Sequence, residues 1–146
     1  MKSSIMIFCL FWLIWTLVEY LFHRFILHRS ILTKYIHDNK HHANVKFKPS
    51  EIPFFLTSLV LLVSGFYYSS AAVGGFGFGM LIYVAFHHLS HKKTNIRYLR
   101  EHHKYHHLVS AKHNFGITTN FWDYCFGTCK TGSFQYSEKK EKIYYE

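Results

Sequence analysis

The chain has 146 residues, of which 49% are hydrophobic and 20% aromatic, and its formal net charge is +9. This length fits a single domain. The positive charge suits either nucleic acid or anionic lipid headgroups, but no nucleic-acid-binding motif is present, so we expect a membrane surface and no nucleic acid as partner. The cysteines Cys9, Cys125 and Cys129 do not form a pattern typical of a disulfide framework.

Two apolar segments predict membrane-spanning helices. The first, residues 5–22, is apolar apart from Thr16 and Glu19, and its length fits one span. The second, residues 52–86, carries no charge and is long enough for two short spans with a turn near Tyr68–Gly75. We therefore predict an all-α integral membrane protein with about three transmembrane helices, at residues 5–22, 52–69 and 72–87.

The basic residues predict how these helices are oriented. Six Lys and Arg residues lie between His23 and Glu51, and ten more follow His91, whereas the N-terminal segment has only Lys2. The positive-inside rule therefore puts the N-terminus outside and both basic segments in the cytoplasm. All thirteen histidines then lie on the cytoplasmic side, in a helical histidine-rich cap.

Ten of these histidines fall into four clusters with metal-chelating spacing: HRFILH, HDNKHH, HHLSH and HKYHH. Residues three or four apart on a helix share a face, so members of one cluster can reach one ion. Adjacent histidines diverge and suit neighbouring ions. Ten imidazoles exceed what one ion uses, so the pattern predicts a site for two metal ions. The predicted ligands are His23, His28, His37, His41, His42, His87, His91, His103, His106 and His107.

The sequence leaves part of the ligand register open. His23 and His28 are five residues apart, which is off one face of an α-helix, so they either serve different ions or lie on a π-helix. His88 and His102 each stand beside a predicted ligand and could replace it. His113 stands alone, and we expect it not to bind metal.

One carboxylate lies close to the first cluster in sequence. Glu19 is four residues before His23 and shares its helical face. It either accepts the second ring N–H of His23 and fixes the orientation of that imidazole, or extends from the end of the span toward the membrane interface.

Together the clusters resemble the integral-membrane fatty acid hydroxylase/sterol desaturase superfamily. The resemblance runs from about Glu19 to Thr128 and is carried by EYLFHRFILH, HDNKHH, HHLSH and HKYHHLVSAKHNFGITTNFWDYCFGT. The H-x4-H, H-x2-3-HH, H-x3-H and H-x2-HH boxes of the family match the ten predicted ligands in order. The H-x3-H box makes the chain most similar to the sphingolipid fatty-acid 2-hydroxylase branch. Asp123 matches the aspartate of the family's FWD motif, which implies that it supports a ligand or caps a helix.

The resemblance implies an O2-dependent lipid hydroxylase, a monooxygenase that inserts oxygen into a C–H bond of a fatty-acyl or related lipid. Its cofactors would be two iron ions held by the histidines, with zinc replacing iron on isolation, and O2. The printed sequence has one apolar segment before the first box and no cytochrome b5 domain. We therefore expect a separate electron-transfer protein, cytochrome b5-like or ferredoxin-like, and enclosure of the substrate by a homo-oligomer.

Two alternatives share the histidine boxes or the metal. The first is a sterol or carotenoid oxidase or desaturase of the same superfamily, and the second is a non-enzymatic membrane metal-binding protein. A transporter should carry ionisable groups within its spans, and residues 52–86 have none. Residues 1–132 are predicted to form the hydroxylase domain, and residues 133–146 a charged, mobile tail without catalytic content.

Overall fold

The structure, a computed structural model, describes residues 2–28, 51–92, 97–132, 134–136 and 144, with the backbone alone at residues 97–99. Within these ranges helices are the only regular secondary structure, which confirms the all-α prediction. The predicted ligands His37, His41 and His42 lie outside the described residues. The helices are α1 (Lys2–Leu21), a π-helix that continues it (Phe22–Leu27), α2 (Glu51–Tyr67), α3 (Ala71–Ser90), α4 (Arg97–Leu108) and α5 (Phe121–Cys125).

Two helical segments are long and apolar enough to cross a membrane: α1 with its π-helix, Lys2–Leu27, and α3. The third apolar helix, α2, is shorter, at 17 residues. It nevertheless exposes large apolar side chains such as Val60, Val63 and Phe66, and α1 does the same with Leu10 and Leu13. Large apolar side chains exposed along whole helices are rare on proteins surrounded by water and are typical of a surface that lipid covers.

The turn between α2 and α3 contains residues 68–70, at the start of the region 68–75 near which the sequence predicts it. Ser70 begins α3 by accepting a hydrogen bond from the Val73 backbone N–H at 3.4 Å. Gly74 and Gly75, which fall in the region given for the turn but also in the predicted span 72–87, lie inside the helix.

Close packing explains why α3 is rich in glycine. A Cβ atom on Gly77 would lie 2.8 Å from Cβ of Leu61 in α2, and one on Gly79 would lie 2.7 Å from Cβ of Trp15 in α1. Glycine thus lets both neighbouring helices approach the α3 backbone. The core between the three helices contains Trp15, Met80, Tyr83 and Ile117.

The loop that follows α4 is fixed to the end of α1 by hydrogen bonds. The Glu19 carboxylate accepts the backbone N–H groups of Ile117 at 2.6 Å and Thr118 at 2.9 Å, and also the Thr118 hydroxyl. Farther along, the Trp122 indole N–H donates to the Thr16 hydroxyl at 2.9 Å. These bonds hold the loop against the same end of the helical bundle at which the described histidines of the clusters lie.

Candidate metal centre

Seven of the ten predicted ligands are described, and the fold gathers them into two groups. Within each group, one ligand atom per side chain can be chosen so that all lie within 4.8 Å of one another. Five of the seven side chains are buried and two are half-buried. The four-histidine group is His87, His91, His103 and His107, and the three-histidine group is His23, His28 and His106.

Helix α4 supplies histidines to both groups. His103 and His107 are four residues apart and share one face, whereas the adjacent His106 points to the other group. The ring centroids of His103 and His106 are 5.9 Å apart, so the two groups are neighbours. The adjacent His106 and His107 therefore point to different groups, as the sequence predicts for neighbouring histidines.

The π-helix explains how His23 and His28 reach one group. Its wider turn brings residues five apart onto the same face, and the two rings stack with centroids 5.1 Å apart. Nε2 of His28 then lies 2.9 Å from Nε2 of His106. Of the two alternatives that the sequence left open, the structure contains the π-helix.

Backbone carbonyls orient two imidazoles of the three-histidine group. Nδ1 of His23 lies 2.6 Å from the carbonyl oxygen of Phe115, and Nδ1 of His106 lies 2.7 Å from that of His113. A carbonyl oxygen only accepts hydrogen bonds, so each Nδ1 carries the hydrogen and each Nε2 keeps its lone pair. Histidines that bind metal are usually held in this way, so the donor set fits a metal ion.

This geometry corrects the role predicted for Glu19. The hydrogen-bond partner of the His23 Nδ1 is the Phe115 carbonyl, and both oxygens of Glu19 are engaged by Ile117 and Thr118. Neither predicted role describes Glu19, because it is buried and ties the loop to α1. It acts on the imidazole only through the position of the loop.

Among the described residues, Glu51 is a carboxylate that contacts a predicted ligand, and it was not among the predicted site residues. Its Oε1 lies 2.7 Å from Nδ1 of His87, and its Oε2 lies 3.9 Å from Nδ1 of the neighbouring His88. A signal was present in the sequence, because Glu51 is the last charge before the uncharged segment 52–86. It therefore stands at the same predicted membrane face as His87.

His103 has the environment of a neutral ligand. Burial first, and then the imidazoles of His87 and His91, hold its pKa well below 6.5. Its Nε2 lies 3.2 Å from Nε2 of His91, and its buried Nδ1 has no hydrogen-bond partner among the described residues. Two imidazole nitrogens this close repel each other unless a proton or a cation lies between them, which again fits a metal ion.

The alternative ligands lie outside both groups. The side chain of His88 is 47% exposed. Nε2 of His102 lies 3.0 Å from Oδ2 of Asp123, and Nδ1 of His113 lies 2.9 Å from the Ser110 hydroxyl. The geometry therefore favours His87 and His103 over their neighbours.

Asp123 organises the loop that carries the Phe115 carbonyl. It accepts the backbone N–H of Phe115 at 2.9 Å and that of Gly116 at 2.8 Å, besides contacting His102. Burial alone would raise the pKa of Asp123, but hydrogen bonds, led by the one from His102, hold it below its usual value of 3.8. The N-cap of α5 is Asn120, so Asp123 supports a loop and does not cap the helix.

Three described residues of the predicted tail contact the helices that carry the histidine groups. The Phe134 ring lies 4.3 Å from the Tyr105 ring, measured between centroids, and Lys104 lies over the Tyr136 ring. Tyr144 is fully buried and contacts the four-histidine group. The charged, mobile tail without catalytic content stays a prediction for residues 133–146 as a whole.

Comparison with known proteins gives the family. The family model for fatty acid hydroxylases matches residues 8–128. The chain belongs to the fatty acid hydroxylase family. Human fatty acid 2-hydroxylase is 33% identical to it over 138 residues, which cover 79% of this chain and 37% of the human protein.

Two further relatives come from plants and yeast. A dihydroceramide fatty acyl 2-hydroxylase of Arabidopsis thaliana is 31% identical over 137 residues, covering 80% of this chain and 57% of the relative. The ceramide very long chain fatty acid hydroxylase of Saccharomyces cerevisiae is 30% identical over 145 residues, covering 84% of this chain and 37% of the relative.

These matches confirm the predicted family and its 2-hydroxylase branch, and they place the chain in a family of oxidoreductases. The chain spans between 37% and 57% of the length of the three relatives. No solved structure matches it significantly.

Proposed function

We propose that the chain is an O2-dependent lipid hydroxylase in which the two histidine groups hold a di-iron centre. The observation that carries the proposal is the pair of neighbouring imidazole groups, in which carbonyls hold the second ring nitrogens of His23 and His106 and Glu51 contacts that of His87. His37, His41 and His42 stay predicted ligands that complete the set of ten. Iron bound there would supply the capacity to activate O2 and oxidise a C–H bond.

The chain's own residues would keep the ligands in place. Asp123 holds the backbone of Phe115 and Gly116, and the Phe115 carbonyl in turn holds His23. Glu19 fixes the same loop from the side of α1. A ligand set supported in this way needs little reorganisation when the metal changes its charge or its coordination.

The membrane arrangement that we propose has three spans, α1, α2 and α3, with the N-terminus outside. Helices α4 and α5 would form the cytoplasmic cap. Glu51 at the start of α2 contacts His87 near the end of α3, so these two ends meet at one end of the bundle. With 17 residues, α2 is at the short end of the range that spans a bilayer.

The substrate that we propose is the acyl chain of a ceramide or a related lipid, since the relatives are named for hydroxylation of fatty acids or ceramides. A small, largely aromatic cavity adjoins the three-histidine group, and an acyl methylene could approach the centre there. Electrons would come from a separate donor protein, and a homo-oligomer would complete the enclosure of the substrate. The cavity is lined by Trp15, Glu19, Phe22, His23, Leu27, Phe54 and Tyr83.

Lipid mass spectrometry of cells that express the full chain tests this function. We expect acyl lipids that gain one oxygen atom. Loss of two hydrogens would indicate a desaturase instead, and an unchanged lipid profile with metal bound would indicate a metal-binding protein.

Two variants, one at a predicted ligand and one as a control, accompany that experiment. His103→Ala removes a predicted ligand and should abolish the product. His113→Ala changes a ring outside both groups and keeps the carbonyl that holds His106, so it should retain most of the activity.

A further inference from the structure

Tyr144 is a buried aromatic residue that contacts three members of the four-histidine group. None of its surface is exposed. Its ring centroid lies 4.7 Å from that of His91, 5.5 Å from that of His107 and 6.5 Å from that of His103. The interplanar angles of these contacts, 47° to 72°, are the tilted and edge-on arrangements that aromatic rings prefer.

Other aromatic residues near the C-terminus contact the same helix. Phe134 packs on Tyr105, and the ammonium group of Lys104 lies 4.1 Å from the centre of the Tyr136 ring. Both partners belong to α4, which also carries His103 and His107. Tyr144 therefore contacts the same helix as Phe134 and Tyr136, and this helix carries histidines of both groups.

We propose that Tyr144 is a positioning residue that covers the four-histidine group and slows the release of a divalent metal ion from it. The proposal rests on the proposed function in taking this group to be a metal site. The ring touches the ligand imidazoles and not the reacting atoms. It limits the rotation of His91 and His107, and it excludes water from the side of the group that it covers. A ligand that cannot rotate and a metal that water cannot reach both dissociate more slowly.

The rate of zinc release to a chelator tests this proposal in the full chain, purified in detergent and loaded with zinc. Tyr144→Ala removes the ring, and we expect release to become about tenfold faster, the lower end of the effect of losing a residue that supports metal ligands. Tyr144→Phe keeps the ring and should release zinc at the wild-type rate. Tyr68→Ala, at a tyrosine that is 74% exposed in the α2–α3 turn, is the matched control and should change nothing.

A comparison of unfolding with zinc release separates positioning from a general role in folding. Loss of a packed ring lowers the thermal midpoint by itself, so we expect both Tyr144→Ala and Phe134→Ala, whose ring packs on Tyr105 of the same helix, to lower the midpoint of the metal-free protein. Only Tyr144→Ala should also speed zinc release. Equal acceleration by Phe134→Ala would show that Tyr144 serves the fold, and zinc release from Tyr144→Ala at the wild-type rate would show that it does not cover the site. Either result overturns the proposal.

A second variant covers the case in which Tyr144→Ala does not fold. Tyr144→Leu keeps an apolar side chain but lacks the flat ring, so it should release zinc faster than Tyr144→Phe, and equal rates overturn the proposal. Wild-type protein that binds no zinc at all would instead count against the metal centre itself. The failure of the inference and the failure of the proposed function are thus distinguishable.

Discussion

At the scale of single residues, the two histidine groups differ in what holds their imidazoles. Backbone carbonyls hold His23 and His106, whereas a carboxylate contacts His87. A carboxylate beside an imidazole raises its basicity more than a neutral carbonyl does. The four-histidine group should therefore bind a cation more tightly than its number of ligands alone suggests.

The first prediction concerns this carboxylate. Glu51→Gln keeps the size of the side chain but removes its charge, so zinc affinity at the four-histidine group should fall about tenfold or more. Zinc titration of the metal-free protein measures this change. Glu101→Gln is the control, since Glu101 is 39% exposed and pairs with Arg100, and its affinity should equal that of the wild type. Equal affinities for both variants would contradict a role for Glu51.

The second prediction concerns pH. Burial holds the pKa of His103 well below 6.5, whereas in the unfolded chain this residue titrates near 6.5. Below about pH 6.5 the unfolded state therefore binds a proton that the folded state does not, and the free energy of unfolding falls as the pH drops. Zinc retention should fall in parallel, because ligand imidazoles must be neutral.

Thermal unfolding of the metal-free protein between about pH 8 and about pH 5 checks this dependence. His103→Gln lacks the titrating group, so its thermal midpoint should change less over the same range. A wild-type midpoint that stays constant would contradict the low pKa of His103.

At the scale of elements, backbone geometry decides which side chains meet. A regular α-helix would separate His23 from His28, and the π-helix joins them. The sequence could indicate this distortion only as one of two alternatives, because the five-residue spacing is also compatible with ligands to different ions. Local sequence has no strong signal for a π-helix, whereas the long-range contacts of His23 with Phe115 and His106 favour one.

The third prediction concerns the packing of α3. Gly77→Ala places a Cβ 3.0 Å from the Leu62 backbone nitrogen as well as close to Leu61, so the helices must separate. We expect a loss of about 1–3 kcal/mol in the free energy of unfolding. Gly74→Ala is the matched control, since its Cβ would meet only the Phe8 ring at 3.7 Å, an ordinary contact. Both substitutions raise helix propensity by the same amount. The difference between their free energies of unfolding, measured in detergent, therefore gives the cost of the lost packing.

At the scale of the whole molecule, the sequence indicated which described histidines lie close together better than it indicated their other partners. Helical spacing was enough to pair His87 with His91 and His103 with His107, because both partners lie on one helix. Glu51 and Tyr144 were missed, since their contacts with the histidines join parts of the chain that are far apart in sequence. Helical periodicity and amino-acid composition carry no information about such long-range contacts.

The fourth prediction concerns topology. If α1, α2 and α3 all cross the membrane, reporter fusions at Asn44 and Ser137 should lie on the same side and oppose a fusion at the N-terminus. The segments that contain Asn44 and Ser137 are both rich in Lys and Arg, so the positive-inside rule predicts that both of these fusions are cytoplasmic. Finding Asn44 and Ser137 on opposite faces would separate the second histidine cluster from the others.

The last prediction concerns the number of metal ions. Two groups of imidazoles should hold two ions per chain after anaerobic reconstitution, and zinc should displace Fe(II) in competition because it binds nitrogen ligands more tightly. Elemental analysis of His91→Ala and of His28→Ala should each give about one ion, since each change weakens one group and leaves the ligands of the other intact. His88→Ala should keep two, because its half-exposed ring lies outside both groups. Wild-type protein with one ion or fewer would contradict the dinuclear centre, and loss of both ions from either single variant would mean that the groups bind metal as one unit.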